Sequence, residues 1–190
     1  RAFCIAARPR RVARMRRLVP LLAILAFAGC STTTSREGLP PLQTVPHVDL
    51  LRYVGTWFEI ASFPQRWQQG CVGTRARYAL GGDGDIAVVN LCRDGAFDGS
   101  ERIASGVARV VDEKSNAKLE VSFLWPFWGD YWIIDLDPAY RWAVVGHPSR
   151  DFLWILSRSP RLDAAVYDGI LARLREQKYD LTRLQKTAQE

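Results

Sequence analysis

The sequence holds few of the residues from which metal centres and hydrolytic sites are built. Its 190 residues include two histidines and four cysteines. His47 and His147 lie far apart in the chain and lack the close spacing of metal-binding pairs. No Ser, His and Asp arrangement suited to nucleophilic catalysis converges in the pattern. We therefore expect no metal, no cofactor and no enzymatic activity.

Acidic residues are absent from residues 1–29, which carry seven arginines. This segment accounts for the formal net charge of +6, because the remaining 19 Lys and Arg stand against 20 Asp and Glu. The body of the chain thus has no basic field that could attract phosphates. The composition argues against a nucleic-acid partner.

No apolar run in the chain is long enough to span a bilayer comfortably, since about 20 residues are needed. The run from Leu18 to Gly29 follows Met15-Arg16-Arg17 and ends in small residues, which is typical of a secretory signal peptide. Met15 is the only methionine. We expect residues 1–29 to be a leader, with translation starting at Met15 and residues 1–14 an over-extended reading frame.

The leader ends in Phe27-Ala28-Gly29-Cys30, which resembles a bacterial lipobox. The resemblance implies that the chain is cut before Cys30 and that its thiol carries acyl chains such as palmitate. Each buried methylene of such a chain contributes about 0.8 kcal/mol to anchoring. We expect residues 30–47 to be a lipidated N-terminus and a flexible tether. The alternative is an ordinary secretory signal with an incidental cysteine.

Short apolar runs follow residue 47 at intervals of about 10–15 residues, separated by turn signals, and predict an antiparallel sandwich or barrel. In the clearest run, Leu119, Val121, Phe123 and Trp125 alternate with polar residues, so one face of this strand is expected to be buried and the other exposed to solvent.

One helix is predicted after the last strand. Ser159-Pro160 has the form of a helix start, with Ser as N-cap and Pro at the first helical position. Val166, Ile170 and Leu174 then recur every four residues and form one apolar stripe. We expect this helix to pack against the outside of the sheet.

The run VDLLRYVGTWFEIA at 48–61 resembles the opening of lipocalins, a Gly-x-Trp that begins the first strand. It looks most like the bacterial lipoprotein subgroup, which is related to apolipoprotein D and plant temperature-induced lipocalins. LEVSFLWPFWGDYWIIDLD and YRWAVVGHPSRDFLWILSRSP extend the resemblance over about 48–182. It implies an all-β fold, an eight-stranded up-and-down antiparallel barrel with one C-terminal helix packed outside, over residues 48–190.

The strand order assigns the two ends of this barrel. Gly55, Trp57 and Arg158 are expected at its floor, with Arg158 matching the lipocalin arginine that packs on the tryptophan. Glu59 also faces inward, to bind a polar head or to be hydrated. The predicted ligand-binding residues of the lumen are Ala61, Thr74, Ala76, Tyr78, Leu119, Val121, Phe123, Trp125, Phe152, Trp154 and Leu156.

Phe127 and Trp128 are expected at the mouth, either in contact with a membrane or folded over the cavity. Cys71 and Cys92 fall at adjacent antiparallel positions near the mouth, so an oxidising compartment would let them form a disulfide. The alternative is two free buried thiols.

The resemblance implies a lipid-anchored protein of the outer membrane, expected to face the periplasm. It would bind, carry or store fatty acids or lysophospholipids and support membrane maintenance. Whether it is a monomer or a dimer stays open. Two alternatives remain at this stage: an isomerase-like lipocalin enzyme acting on a lipophile, and a structural lipoprotein with a filled barrel.

Overall fold

A computed structural model describes residues 38–190. The predicted leader, Cys30 and the first part of the tether lie outside these residues. The described chain forms one antiparallel sheet. Its strands are β1 (Gly55–Ser62), β2 (Cys71–Leu80), β3 (Ile86–Asp94), β4 (Glu101–Val110), β5 (Lys118–Leu124), β6 (Phe127–Leu136), β7 (Trp142–Gly146), β8 (Leu153–Ser157) and β9 (Gln185–Lys186).

The sheet closes on itself through β1. Consecutive strands from β2 to β8 pair antiparallel, and β1 pairs with β8 along one edge and with β2 along the other. Phe58 pairs with both Arg75 of β2 and Ser157 of β8, so the ring has no gap at that level. The predicted eight-stranded up-and-down barrel is confirmed. The short β9 is an additional strand, paired with β1 at Ala61 and Ser62.

A single turn of helix, α1 (Leu50–Tyr53), leads into β1. The Asp49 carboxylate caps it, accepting hydrogen bonds from the backbone N–H groups of Leu51 at 3.0 Å and Arg52 at 3.4 Å. Gly55 has φ +101°, a conformation that disfavours residues with a Cβ atom, and a Cβ there would lie 3.2 Å from the Arg158 guanidinium. The sequence therefore turns sharply from α1 into the first strand.

The long helix, α2 (Ala164–Glu176), packs against the outside of the barrel as expected. The prediction that it begins at Ser159 is wrong. Asp163 is the N-cap, and its carboxylate accepts hydrogen bonds from the N–H groups of Ala165 at 2.9 Å and Val166 at 3.2 Å. An aspartate closer to the apolar stripe takes precedence over the Ser-Pro pair, and residues 159–163 form an irregular connection.

Two apolar cores lie on the two faces of the barrel wall. The inner core surrounds Trp57 and includes residues of most strands. The outer core lies between α2 and strands β6 to β8, where Ile170 and Leu174 are buried. Leu42 joins this outer core, and the carbonyl of Pro40 accepts a hydrogen bond from Arg150 at 2.7 Å. The end of the expected tether is therefore docked on the barrel, not free.

Among the described residues, none of the helices is long and apolar enough to cross a membrane. The same part of the chain contains no cluster of three or more His, Cys, Asp or Glu side chains that could hold a metal ion.

Candidate functional site

The floor of the barrel is closed by Trp57, which is completely buried. Its indole N–H donates to the carbonyl of Tyr53 at 2.8 Å. The guanidinium carbon of Arg158 lies 3.7 Å from the indole ring centroid, a cation–π contact. Arg158 also donates to the carbonyls of Arg52 and Tyr53 in α1 and of Val54 directly after it at 2.7–2.9 Å, and to that of Thr56 at 2.9 Å. The arginine thus fixes α1 beneath the barrel.

A cavity of about 280 Å³ lies above this floor, enclosed by the barrel strands. Most of the sequence-predicted lumen residues line it: Thr74, Ala76, Tyr78, Val121, Phe123, Phe152, Trp154 and Leu156. Its surface is mainly apolar. The volume is close to the lower end of the range of about 300–1,000 Å³ for small-molecule pockets.

Three predicted lumen residues lie elsewhere. Ala61 is buried in the outer core, because a β-bulge between Glu59 and Ala61 reverses the alternation of β1. Leu119 faces the interior but lies below the main cavity, beside a small void of about 10 Å³. Trp125 is 81% exposed, because β5 ends at Leu124 after an irregularity in its pairing with β6. The expectations for Ala61 and Trp125 are wrong, and that for Leu119 holds only for its inward direction.

The mouth opens into a second cleft of about 670 Å³ that shares wall residues with the cavity, including Trp67, Gln68 and Phe123. Phe127 and Trp128 line this cleft. Phe127 is 70% exposed, and the Trp128 ring lies 4.2 Å from the guanidinium carbon of Arg109.

The rim also carries the predicted disulfide. Cys71 and Cys92 are bonded, with Cα atoms 5.4 Å apart, and both line the mouth cleft. The bond joins the start of β2 to the end of β3. The alternative of two free thiols is therefore wrong.

A buried polar cluster interrupts the apolar wall at Glu59, which is 5% exposed. Its carboxylate accepts hydrogen bonds from the Ser62 hydroxyl at 2.9 Å, the Gln68 amide at 2.8 Å and the Thr187 hydroxyl at 2.5 Å. The Gln189 amide donates to the backbone carbonyl of Glu59 at 2.8 Å. The C-terminal segment thus supplies part of the cluster, although Thr187 and Gln189 lie thirty or more residues after the end of β8.

Three tyrosines form a hydrogen-bonded group at the lower end of the cavity. The Tyr131 hydroxyl lies 2.8 Å from that of Tyr53 and 3.0 Å from that of Tyr78. Burial raises the pKa of Tyr78 to about 12, and it also raises the pKa values of Tyr53 and Tyr131 well above 10. All three therefore stay protonated at physiological pH and present hydroxyl groups, not phenolates.

The family model of a lipocalin-like domain matches residues 48–189, which is most of the chain and the whole of the barrel just described. The chain belongs to the lipocalin family.

Curated relatives agree with this assignment. This lipocalin is 40% identical to temperature-induced lipocalin-1 of Arabidopsis thaliana, over 78% of this chain and 83% of the relative. It is 37% identical to the outer membrane lipoprotein Blc of Escherichia coli K12, over 88% of this chain and 94% of the relative. Mouse apolipoprotein D is 32% identical to it, over 76% of this chain and 82% of the relative. Insecticyanin from the tobacco hornworm has the same fold, with a TM-score of 0.64, 20% identity, and coverage of 80% and 86%.

Several cavity residues of this lipocalin were not predicted from its sequence. Trp67, Gln68 and Tyr131 line the cavity, as do Asp130 and His147. His147, considered from the sequence as a metal ligand, is partly buried, and its ring lies 3.6 Å from the Asp130 carboxylate. Burial lowers the pKa of His147 below 6.5, so the ring is neutral at pH 7. Trp67 offers the one available signal in the sequence, an aromatic residue in the connection between β1 and β2.

Proposed function

We propose that this lipocalin binds one single-chain lipophile, a fatty acid or a lysophospholipid, in the barrel cavity. The observation that carries the proposal is an apolar cavity of about 280 Å³, closed at its floor by Trp57 and Arg158 and continuous with an open cleft at the mouth. Transfer of an acyl chain from water into such a cavity contributes about 0.8 kcal/mol per buried methylene. Binding would be reversible partition into the tube.

The cavity and the disulfide weaken both alternatives. A filled structural barrel does not fit an internal volume of about 280 Å³. An isomerase-like enzyme would need a reactive thiol in the lumen, whereas Cys71 and Cys92 are bonded to each other at the rim. Residues 38–190 contain no other cysteine. Carriage or storage of a lipophile is therefore the better-supported function.

A titration with a fluorescent fatty acid tests the proposal. The full chain should bind the probe saturably. Trp154→Arg, which replaces part of the apolar cavity wall by a hydrated side chain, should weaken binding at least about tenfold, because apolar contact with the acyl chain is lost. Trp125→Arg is the matched control, since Trp125 is exposed and lines neither cavity nor cleft. Equal affinity of Trp154→Arg and the wild type would contradict the proposal.

We further propose that the protein is an outer-membrane lipoprotein anchored through Cys30 and facing the periplasm. The support is the name shared by its bacterial relatives, outer membrane lipoprotein Blc, together with the lipobox-like Phe27–Cys30 sequence. On fractionation of cells, the wild-type chain should remain with the outer membrane, and Cys30→Ser should be released into the soluble fraction. Retention of Cys30→Ser in the membrane would contradict anchoring at this residue.

A further inference from the structure

A buried carboxylate on the wall of the cavity has no counter-ion. Glu59 is 5% exposed, and its three hydrogen-bond donors, Ser62, Gln68 and Thr187, are all neutral. Within residues 38–190, no cationic side chain forms an ion pair with it, although seven arginine–carboxylate pairs occur elsewhere. A buried charge without an opposite charge is strongly unfavourable. A cationic ligand in the cavity would supply the opposite charge that the side chains of residues 38–190 do not.

Two side chains of the cavity wall, Glu59 and Thr74, can each accept a further hydrogen bond from a ligand. A carboxylate offers about four lone-pair sites. Ser62 and Thr187 occupy one oxygen of Glu59, whereas only Gln68 reaches the other. The Thr74 hydroxyl is also buried, and it is the side-chain polar atom in the described chain that is buried without any partner. Both Glu59 and Thr74 line the cavity.

The other charged groups of the cavity do not neutralise this site. Asp130 adds a second carboxylate to the lining, and His147 beside it is neutral at pH 7. The cation that lines the cavity, Arg75, lies 3.5 Å from Glu101 and is paired with it. Two carboxylates against one cation that is already paired give this lining an excess of acidic groups, which favours a cationic ligand over a carboxylate.

An aromatic wall faces the same space. Trp67 and Phe152 stack with ring centroids 6.3 Å apart, and Phe152 and Trp154 stack at 6.2 Å. All three rings line the cavity. Aromatic faces attract ammonium groups, and the attraction increases where water is excluded.

We propose that the cavity recognises a single-chain amphiphile with an ammonium head, which the Glu59 carboxylate and the Thr74 hydroxyl hold beside the aromatic wall. An ammonium supplies the missing positive charge and up to three N–H donors. A free fatty acid would instead bring its carboxylate close to Glu59 and Asp130. The inference rests on the proposed lipid-binding function and narrows its ligand class.

Competition against the neutral probe N-phenyl-1-naphthylamine tests the inference on the full chain. Three competitors share one tail: dodecylammonium, dodecanol and dodecanoate. We expect dodecylammonium to displace the probe at a concentration at least about tenfold lower than dodecanoate. A factor of this size corresponds to one buried hydrogen bond to a charged group. Glu59→Gln should reduce this preference to about twofold or less. Glu120→Gln is the matched control, since Glu120 pairs with Arg109 away from the cavity and should keep the wild-type preference.

The outcomes separate the two proposals. Equal or stronger displacement by dodecanoate in the wild type would overturn the ammonium inference while leaving lipid binding intact. An unchanged preference in Glu59→Gln would overturn the assignment of the site to Glu59. Failure of the probe and of all three competitors to bind would overturn the lipid-binding function itself. The wild-type comparison needs no variant, so the test holds even if Glu59→Gln does not fold.

Discussion

Arg158 gives the sharpest test of how the floor is held together. Its guanidinium donates four hydrogen bonds at 2.7–2.9 Å to backbone carbonyls between Arg52 and Thr56, and it covers the Trp57 ring at 3.7 Å. Hydrogen bonds to a charged group contribute about 1.5–3 kcal/mol each, but water can reach part of this site and replace some of them. The cation–π contact adds about 1 kcal/mol. We expect Arg158→Ala to lower the free energy of unfolding by about 3 kcal/mol.

The loss should appear as a fall in Tm of about 6–12 °C for a domain of this size, measured by circular dichroism, with a matching fall in the urea midpoint. Arg158→Lys should restore only a minor part of the lost stability, because one ammonium group cannot contact four carbonyls and the Trp57 ring together. Arg161→Ala is the control, since Arg161 is exposed and no contact of its side chain holds the floor. A loss below about 0.5 kcal/mol for Arg158→Ala, the range of ordinary surface changes, would refute the reasoning.

Two further predictions concern the rim and a turn at the floor end. Replacing both Cys71 and Cys92 by Ser should destabilise the barrel by about 3 kcal/mol, since the bond closes a chain segment with a sequence separation of 21; reduction of the wild type should give the same fall in urea midpoint. The Arg141 guanidinium, with hydrogen bonds of 2.8 and 2.9 Å, lowers the pKa of Asp137 to about 2. The resulting stability is present above the unfolded pKa of about 3.9 and is lost as the pH falls towards 2. Asp137→Asn should therefore cost about 1 kcal/mol at pH 7, because the exposed Arg141 is screened by water, and only a small part of that at pH 2, where the folded carboxyl is half protonated.

Each of these has a clear contrary result. Identical urea midpoints for oxidised and reduced protein would show that the rim disulfide adds no stability. A constant difference between Asp137→Asn and the wild type from pH 7 to pH 2 would show that the carboxylate's charge plays no part in the turn.

Most of the barrel could be predicted from sequence because strand alternation is a local signal. The rule that consecutive strands alternate in direction correctly placed Trp57 and Arg158 together at the floor. The same rule fails where the backbone is irregular. Ala61 follows a bulge, and Trp125 follows the end of β5, so both leave the face that alternation assigns to them.

The polar part of the site could not be predicted because it depends on contacts between distant segments. Thr187 and Gln189 reach Glu59 through the pairing of β9 with β1, which no local pattern indicates. Tyr131 belongs to a strand that is apolar on both faces, and His147 belongs to a loop. Periodicity therefore gives no inward direction for either residue. The helix start was missed for another reason: two capping signals compete, and the contacts of Asp163 decide between them.

Native mass spectrometry of the intact lipocalin isolated from its own cells tests the central claim most directly, because the mass of the complex shows what the cavity holds. We predict one single-chain lipid per protein chain, displaced by excess dodecylammonium and absent from Trp154→Arg. A protein that carries no lipid and takes up none when incubated with an excess would show that the cavity is not a lipid site.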